Sequence, residues 1–355
     1  SRLGSKEDFK KVFTALHENG IRVIVDGVFN HVGRKFFAFL DVQKNLEQSD
    51  YKDWFCNLNF SWQSPLGDSF SYENWHGAAE LVKLNLRNPA VCEHLLGAVG
   101  MWMDELGIDG LRLDAADCLD REFFQRLHSF TKGKREDFWL MGEIIHGDYR
   151  VWANDEMLDS VTNYECWKGI YSSHNDKNYF EIAYSLKRQF GQGGLYENLC
   201  LYNFLDNHDV NRIGSLLKQR ENLKNAYTLL YMMPGIPSIY YGSEWGIEGV
   251  KGQGMDADLP LRPKLDLEEM CAQETDLPAH IRELAKIRKE SDAVKYGAYD
   301  EVLVRNKQFV FARRSGEQYK VIALNLTDHA ETLHFSYQGK EYEVLLEAYT
   351  SKIME

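Results

Sequence analysis

Three carboxylates stand at the ends of apolar, β-rich runs. Asp114 closes GLRLD, Glu143 closes FWLMGE, and Asp209 ends FLDNHD. In a parallel α/β barrel the carboxyl ends of different strands converge on one face, where active sites are built. Acids at three such ends point into a common mouth. Two of them can form the pair that cleaves a glycosidic bond, about 5–5.5 Å apart in a retaining enzyme. Arg112 lies two residues before Asp114, and side chains at i and i+2 share a strand face. A fixed cation there lowers the carboxylate pKa and keeps Asp114 ionised, as an attacking group requires. Glu143 follows an apolar run and has no basic residue within two positions. A less solvated glutamate without a close cation has a raised pKa, which suits a general acid. Taken singly, each residue has a plainer reading. A strand-end acid is more often a helix cap or a solvated loop residue, and Asp209 can cap a helix beginning near Asn211. His31 and His208 read singly as buried, hydrogen-bonded histidines. The case rests on their joint occurrence.

The elements that must position these groups alternate for about two thirds of the chain. Apolar runs at 21–28, 110–113, 138–142, 160–163, 201–205 and 238–241 read as strands. The first of them, IRVIVDGV, reads as buried. Helical periodicity lies between the runs. Ser5 and Asp8 resemble a capping box ahead of Phe9, Val12, Phe13 and Leu16. Asn88 and Pro89 open a helix that ends near Leu106-Gly107. Asp120 can cap a helix carrying Phe123, Phe124 and Leu127, and 178–190 and 216–231 read as further helices. Repeated βα units with strands this apolar imply a parallel sheet covered by helices. Residues 32–87 break the rhythm as an aromatic, loop-like excursion, and 242–271 are loop-rich. From about Gly297 short alternating strands imply a small antiparallel β domain.

Composition narrows the function. The chain has 355 residues, with 41 basic and 54 acidic side chains and a net charge of −13. An acidic surface repels phosphate backbones, so nucleic acid is not the expected partner. No run of about eighteen apolar residues exists, so no membrane span is expected. The six cysteines are scattered without metal-clip spacing and read as small buried apolar residues.

The residues carry a resemblance. DGVFNH (26–31), GLRLDAAD (110–117), GEIIH (142–146) and FLDNHD (204–209) look like the four signature regions of the α-amylase superfamily of glycoside hydrolases, family 13, in that family's order. LVKLN (81–85) resembles a fifth region. GEIIH and LVKLN are closest to the neopullulanase, cyclomaltodextrinase and maltogenic amylase branch, and PGIPSIYYGSE (234–244) resembles the last barrel strand. The resemblance implies a (β/α)8 TIM-type barrel with a small inserted domain and a C-terminal antiparallel β domain. It divides the chain into a partial barrel (1–31 and 88–290), an insertion (32–87) and the β domain (291–355). It also implies that the barrel lacks its first two strands here, because SRLGSKEDF resembles the stretch after the second.

By the same resemblance Asp114 is the nucleophile, Glu143 the acid and base, and Asp209 the stabiliser of the distorted sugar. Arg112 orients Asp114. His31 and His208 bind sugar hydroxyls, His146 lines the leaving-group side, and Asp26 and Asn30 support that wall. Trp54, Trp62, Tyr72 and Trp75 stack on sugars or form a small core. Asp117 and Cys118 stand where many starch amylases have a Lys-His pair, which counts against a typical endo-acting starch amylase. No cofactor is required. A calcium ion fits the resemblance, but the insertion offers no identifiable acidic partners for Asn30. The expected reaction is hydrolysis of α-glucosidic links in malto-oligosaccharides, cyclodextrins or pullulan. The alternatives are a transglycosylase, a catalytically weak fragment or binding subunit, and a metal-dependent enzyme on the same barrel. An α-glucan substrate, self-association through exposed sheet edges and a cytoplasmic location complete the expectation.

Overall fold

The computed structural model describes residues 4–254, 256–273 and 275–355. They form two compact units, Ser1–Val161 and Thr162–Glu355.

The first unit opens with α1 (Lys6–Glu18), and the Ser5/Asp8 capping box is made. Then come β1 (Ile24–Gly27), β2 (His31–Gly33), α2 (Phe37–Asn45), β3 (Asn74–Trp75) and β4 (Ala78–Lys83). Asn88 caps α3 (Pro89–Met101), whose helical continuation runs to Gly107 in the left-handed region. β5 (Gly110–Leu113), α4 (Arg121–Lys134) capped by Asp120, β6 (Trp139–Gly142) and β7 (Ser160–Val161) complete the unit. Strands β1, β5, β6 and β7 pair in that order, all parallel. Leu111, Leu113 and Leu140 are fully buried.

Two expectations need correction here. The first strand is not buried: Ile24 is 41% exposed, and Ile21 and Val28 are exposed too. Among the described residues β1 pairs with β5 alone, so it is a sheet edge. An apolar run cannot distinguish an edge from an interior strand. Residues 32–87 are also more ordered than a loop. They hold α2 and an antiparallel sheet, β2-β4-β3, around the rings of Phe39, Phe55, Phe70 and Tyr72.

The second unit begins with α5 (Tyr164–Asn175), α6 (Phe180–Phe190), β8 (Tyr202–Phe204), α7 (Ile213–Leu216), α8 (Leu223–Met232) and β9 (Ile236–Ser238). β8 and β9 are parallel. The last parallel strand lies at 236–238 rather than 238–241, because Tyr240 and Tyr241 leave the ladder to pack on the Arg212 guanidinium. Three helices follow: α9 (Leu267–Cys271), α10 (Leu277–Glu290) and α11 (Asp292–Tyr296). The antiparallel end comprises β10 (Ala298–Val304), β11 (Gln308–Ser315), β12 (Gln318–Asn325), β13 (Glu331–Tyr337), β14 (Lys340–Leu346) and β15 (Ser351–Met354). It makes a four-stranded sheet, β10-β11-β12-β15, and a β13-β14 hairpin. Val310, Ala312, Val321, Ala323, Leu333 and Val344 share its core.

All six cysteines are free, but only Cys92 and Cys166 are buried. Cys271 ends a short surface helix and Cys200 lies in the loop before β8, so the expectation of six buried thiols fails at loop and helix-end positions. Among the described residues no helix is long and apolar enough to cross a membrane.

Candidate active site

Strand register assembles the cluster in the first unit. Asp26 on β1 faces Arg112 on β5, and Leu113 faces Gly142 on β6. Partners in parallel register present their side chains on the same sheet face. The ladder runs one residue further, from Asp114 N to Gly27 O and from Glu143 N to Leu113 O. Asp114 and Glu143 therefore stand side by side where β5 and β6 end. Gly142 is dictated by crowding: a Cβ there would lie 2.6 Å from Leu158 Cδ1 and 2.9 Å from Ala116 Cβ. Ala115 has φ 43°, an uncommon left-handed conformation for a residue with a Cβ. That sharp turn directs the Ala115 N–H to Glu143 Oε2, at 3.2 Å.

Arg112 is the hub. Its Nη1 lies 2.7 Å from Asp114 Oδ1 and 2.9 Å from Asp26 Oδ1, and its Nη2 lies 2.9 Å from Glu143 Oε2. Burial opposes the guanidinium charge, yet the carboxylates of Glu143, Asp26 and Asp114 hold its pKa above the ordinary arginine value. One cation against three carboxylates leaves an excess of negative charge. Fixed negative charge of this kind stabilises a developing positive centre such as an oxocarbenium ion.

This geometry corrects the expectation for Glu143. Its neighbours in sequence include no base, but Arg112 reaches it from the adjacent strand. The expected absence of a close cation therefore fails, because register between strands brings one that the local sequence does not hold.

His31 sits on β2 opposite Lys83 of β4 and is 8% exposed. Its Nδ1 is 3.2 Å from Asn30 Nδ2, and its ring centroid is 5.5 Å from that of Trp75. Burial pushes the imidazole pKa down, against the opposing charge of Asp114. A neutral imidazole has one donor and one acceptor nitrogen, which suits a sugar hydroxyl. His146 is exposed, in the loop that turns at Gly147 (φ +108°).

The four aromatic candidates divide. Tyr72 is buried, donating to Ala79 O and accepting from Arg34. Trp54 packs among Phe36, Phe37, Tyr51 and His94. Trp62 is 68% exposed. Trp75 alone of the four lies against a candidate site residue. Its neighbour His76, which the sequence reading passed over, approaches Cys118 Sγ at 4.0 Å.

The surroundings of Asn30 bear on the calcium ion that the resemblance allows. Asn30 Oδ1 is buried without a hydrogen-bond partner. The polar side chains of the cleft beside it are Asn85, Asp120, Cys56, Cys118, Lys83 and Arg87; Asp120 is already bound to the Arg87 guanidinium, and Asn85 Oδ1 accepts the Arg87 N–H. Calcium takes several oxygen ligands, often carboxylates, whereas this cleft offers one carboxylate, already paired, beside two cations and two thiols. Among the described residues no group of three or more His, Cys, Asp or Glu could hold a metal ion. The residues do not fit, and no step is assigned to calcium.

In the second unit His208 Nε2 lies 3.1 Å from Asp209 Oδ2. Asp209 caps no helix. Its own N–H is received by Asn207 Oδ1, and the first N–H of α7, from Ile213, goes to Asp206 instead. Arg262 is a residue the sequence reading missed. Its Nη2 lies 3.2 Å from Asp209 Oδ1, and its Nε donates to His208 O. The separation of 53 positions between Arg262 and Asp209 left no local signal.

Comparison with known proteins agrees with the motifs. Residues 1–293 match the family model of the alpha-amylase catalytic domain. The chain is 29% identical over 341 residues to a cyclomaltodextrinase of Bacillus sp, covering 94% of this chain and 59% of that protein. It is 31% identical over 296 residues to the intracellular maltogenic amylase of Bacillus subtilis, covering 82% of this chain and 48% of that one. The crystal structure of an acarbose-soaked debranching enzyme from Nostoc punctiforme superposes with a TM-score of 0.83 at 28% identity, covering 99% of this chain and 79% of that chain. This chain thus spans less than two thirds of the length of these two curated relatives.

Proposed function

The chain belongs to the alpha-amylase family, and on that premise we propose that it is a retaining glycoside hydrolase of α-glucosidic links in malto-oligosaccharides and cyclodextrins. The observation that carries the reading is the shared guanidinium. Arg112 holds Asp114 and Glu143 together at the ends of adjacent strands. In the proposed mechanism the Asp114 carboxylate attacks the anomeric carbon while Glu143 gives its proton to the departing glycosidic oxygen. A glycosyl ester on Asp114 results. Glu143 then takes a proton from water, the water oxygen bonds to the anomeric carbon, and Asp114 leaves as carboxylate. Asp209 and His208 take the roles their motif implies, charge stabilisation and a hydroxyl contact, with His31 as a second hydroxyl ligand and Trp75 as a stacking surface. Asp26 and Asn30 support them, and His146 contacts the leaving-group side.

The domain reading is a barrel from 1–31 and 88–290, an insertion at 32–87 and a β domain from 291. A cytoplasmic location is proposed as well, supported by the likeness to the intracellular maltogenic amylase of Bacillus subtilis. The proposed activity is tested by incubating the chain with maltohexaose and β-cyclodextrin. Release of reducing ends from both is expected, and no release from either would overturn the proposal. We also propose self-association, supported by exposed Ile21, Ile24 and Val28 at the β1 edge. Unpaired strand edges invite pairing with a second copy. Sizing with light scattering should give at least twice the chain mass, and a monomer at all concentrations would refute it.

A further inference from the structure

The mechanism leaves unexplained a buried acid, a buried arginine and a buried serine beside the His208–Asp209 turn. Asp206 is 3% exposed, Arg212 0% and Ser243 1%. Asp206 Oδ2 accepts the Ile213 N–H at 2.7 Å, and Ser243 Oγ donates to the same carboxylate at 2.8 Å. Arg212 Nη1 donates to Ser243 Oγ at 2.9 Å and to Tyr241 O at 2.7 Å. The turn from 206 to 213 is thus closed on itself. Its first residue binds its last, and His208 and Asp209 lie between. Inside the turn Asn207 Oδ1 receives the N–H groups of Asp209 and Val210.

Arg212 also reaches the other side of Asp209. Its Nη2 and Nε donate to Leu261 O at 2.7 and 3.1 Å. The next residue, Arg262, is the one that bonds Asp209 and the His208 carbonyl. The Arg212 guanidinium stacks 3.9 Å from the Tyr240 ring centroid, and the His208 ring lies 6.5 Å from the other end of that contact. Two side-chain partners of Asp209 are therefore linked to Arg212, Arg262 through the adjacent Leu261 carbonyl and His208 through the Tyr240 ring.

A buried carboxylate and a buried guanidinium are costly to desolvate, and a packed apolar set is often as stable. Burial pushes the Asp206 pKa up to about 6, against the Ile213 and Ser243 bonds and the charge of Arg212, with Glu244 adding to the rise. The folded value exceeds the ordinary carboxylate value, so ionised Asp206 costs stability once pH rises through about 6. Stability alone does not account for keeping an acid there.

We propose that Asp206, Arg212 and Ser243 are positioning residues that hold the His208–Asp209 turn and Arg262 in the geometry catalysis needs, without touching substrate. The proposal rests on the hydrolase reading above. Misplacement of a reacting group by about 1 Å can cost about 100-fold in rate. Asp206→Ala should lower kcat about 100-fold while KM changes less than about threefold, and Asp206→Asn, which keeps an acceptor for Ile213 N–H, should recover most of the loss. Ser243→Ala serves as the second variant if Asp206→Ala does not fold, with an expected loss of about tenfold. A readout independent of turnover is the carbon-13 resonance of the His208 imidazole in histidine-labelled protein, which should move in either variant. Folded variants with wild-type kcat, or an unmoved His208 resonance, overturn the proposal. If the unmutated chain turns over no α-glucan, the hydrolase reading falls by itself. The His208 resonance then decides the positioning claim alone, a moved signal supporting it and an unmoved one refuting it.

Discussion

Asp114→Asn is expected to lower kcat on maltohexaose by about 10⁴-fold or more, because the amide cannot form the glycosyl ester. The substitution is nearly isosteric. It keeps an acceptor for Arg112 Nη1, so the hub of Asp26, Arg112 and Glu143 should stay assembled. Substrate affinity should remain within a few fold of the unmutated protein. The unmutated protein should release the α-anomer first, as followed by proton NMR before mutarotation, because two displacements preserve configuration. A β-anomer first product would mean one displacement through water. Asp114 would then be no nucleophile, even if the variant were inactive.

Glu143→Gln carries the second large effect, and it depends on the leaving group. General acid catalysis contributes about 10²- to 10⁴-fold, so hydrolysis of maltohexaose should fall by that factor. A maltosyl fluoride needs no proton on its departing group, and its first step should proceed at near the unmutated rate. The second step needs Glu143 to take a proton from water, and it should still be slow. The expected signature is a burst of fluoride followed by a low steady state, the mark of an accumulating covalent intermediate. Equal losses on both substrates without a burst would remove Glu143 from the proton-transfer role.

Much of this protein can be read from short spans of the chain. Periodicity and caps located α1, α3 and α4, because a helix start is written within four residues, as at Ser5–Asp8, Asn88–Pro89 and Asp120. Arg112 beside Asp114 was legible for the same reason: two residues apart on a strand means one face. The motifs around Asp26, Asp114, Glu143 and Asp209 were enough to point to the family. Helix α5 was not, since YECWKGIYSSHN mixes aromatic and polar residues without a clear apolar stripe. The C-terminal strand β15 is four residues long and too short to show alternation.

Contacts between distant segments lay beyond such reading. The pairing of Glu143 with Arg112 spans 31 positions and follows from the register of β5 against β6, which no local pattern states. Arg262 meets Asp209 across 53 positions, next to the Leu261 carbonyl that Arg212 anchors. The exposure of β1 depends on which strands flank it, and its apolar run is the same in either case. Local chain chemistry chooses faces, caps and turns, since those interactions act over a few residues. The charge that an acid finally meets is chosen by packing between elements far apart in the chain, and that packing governs how the acid can react.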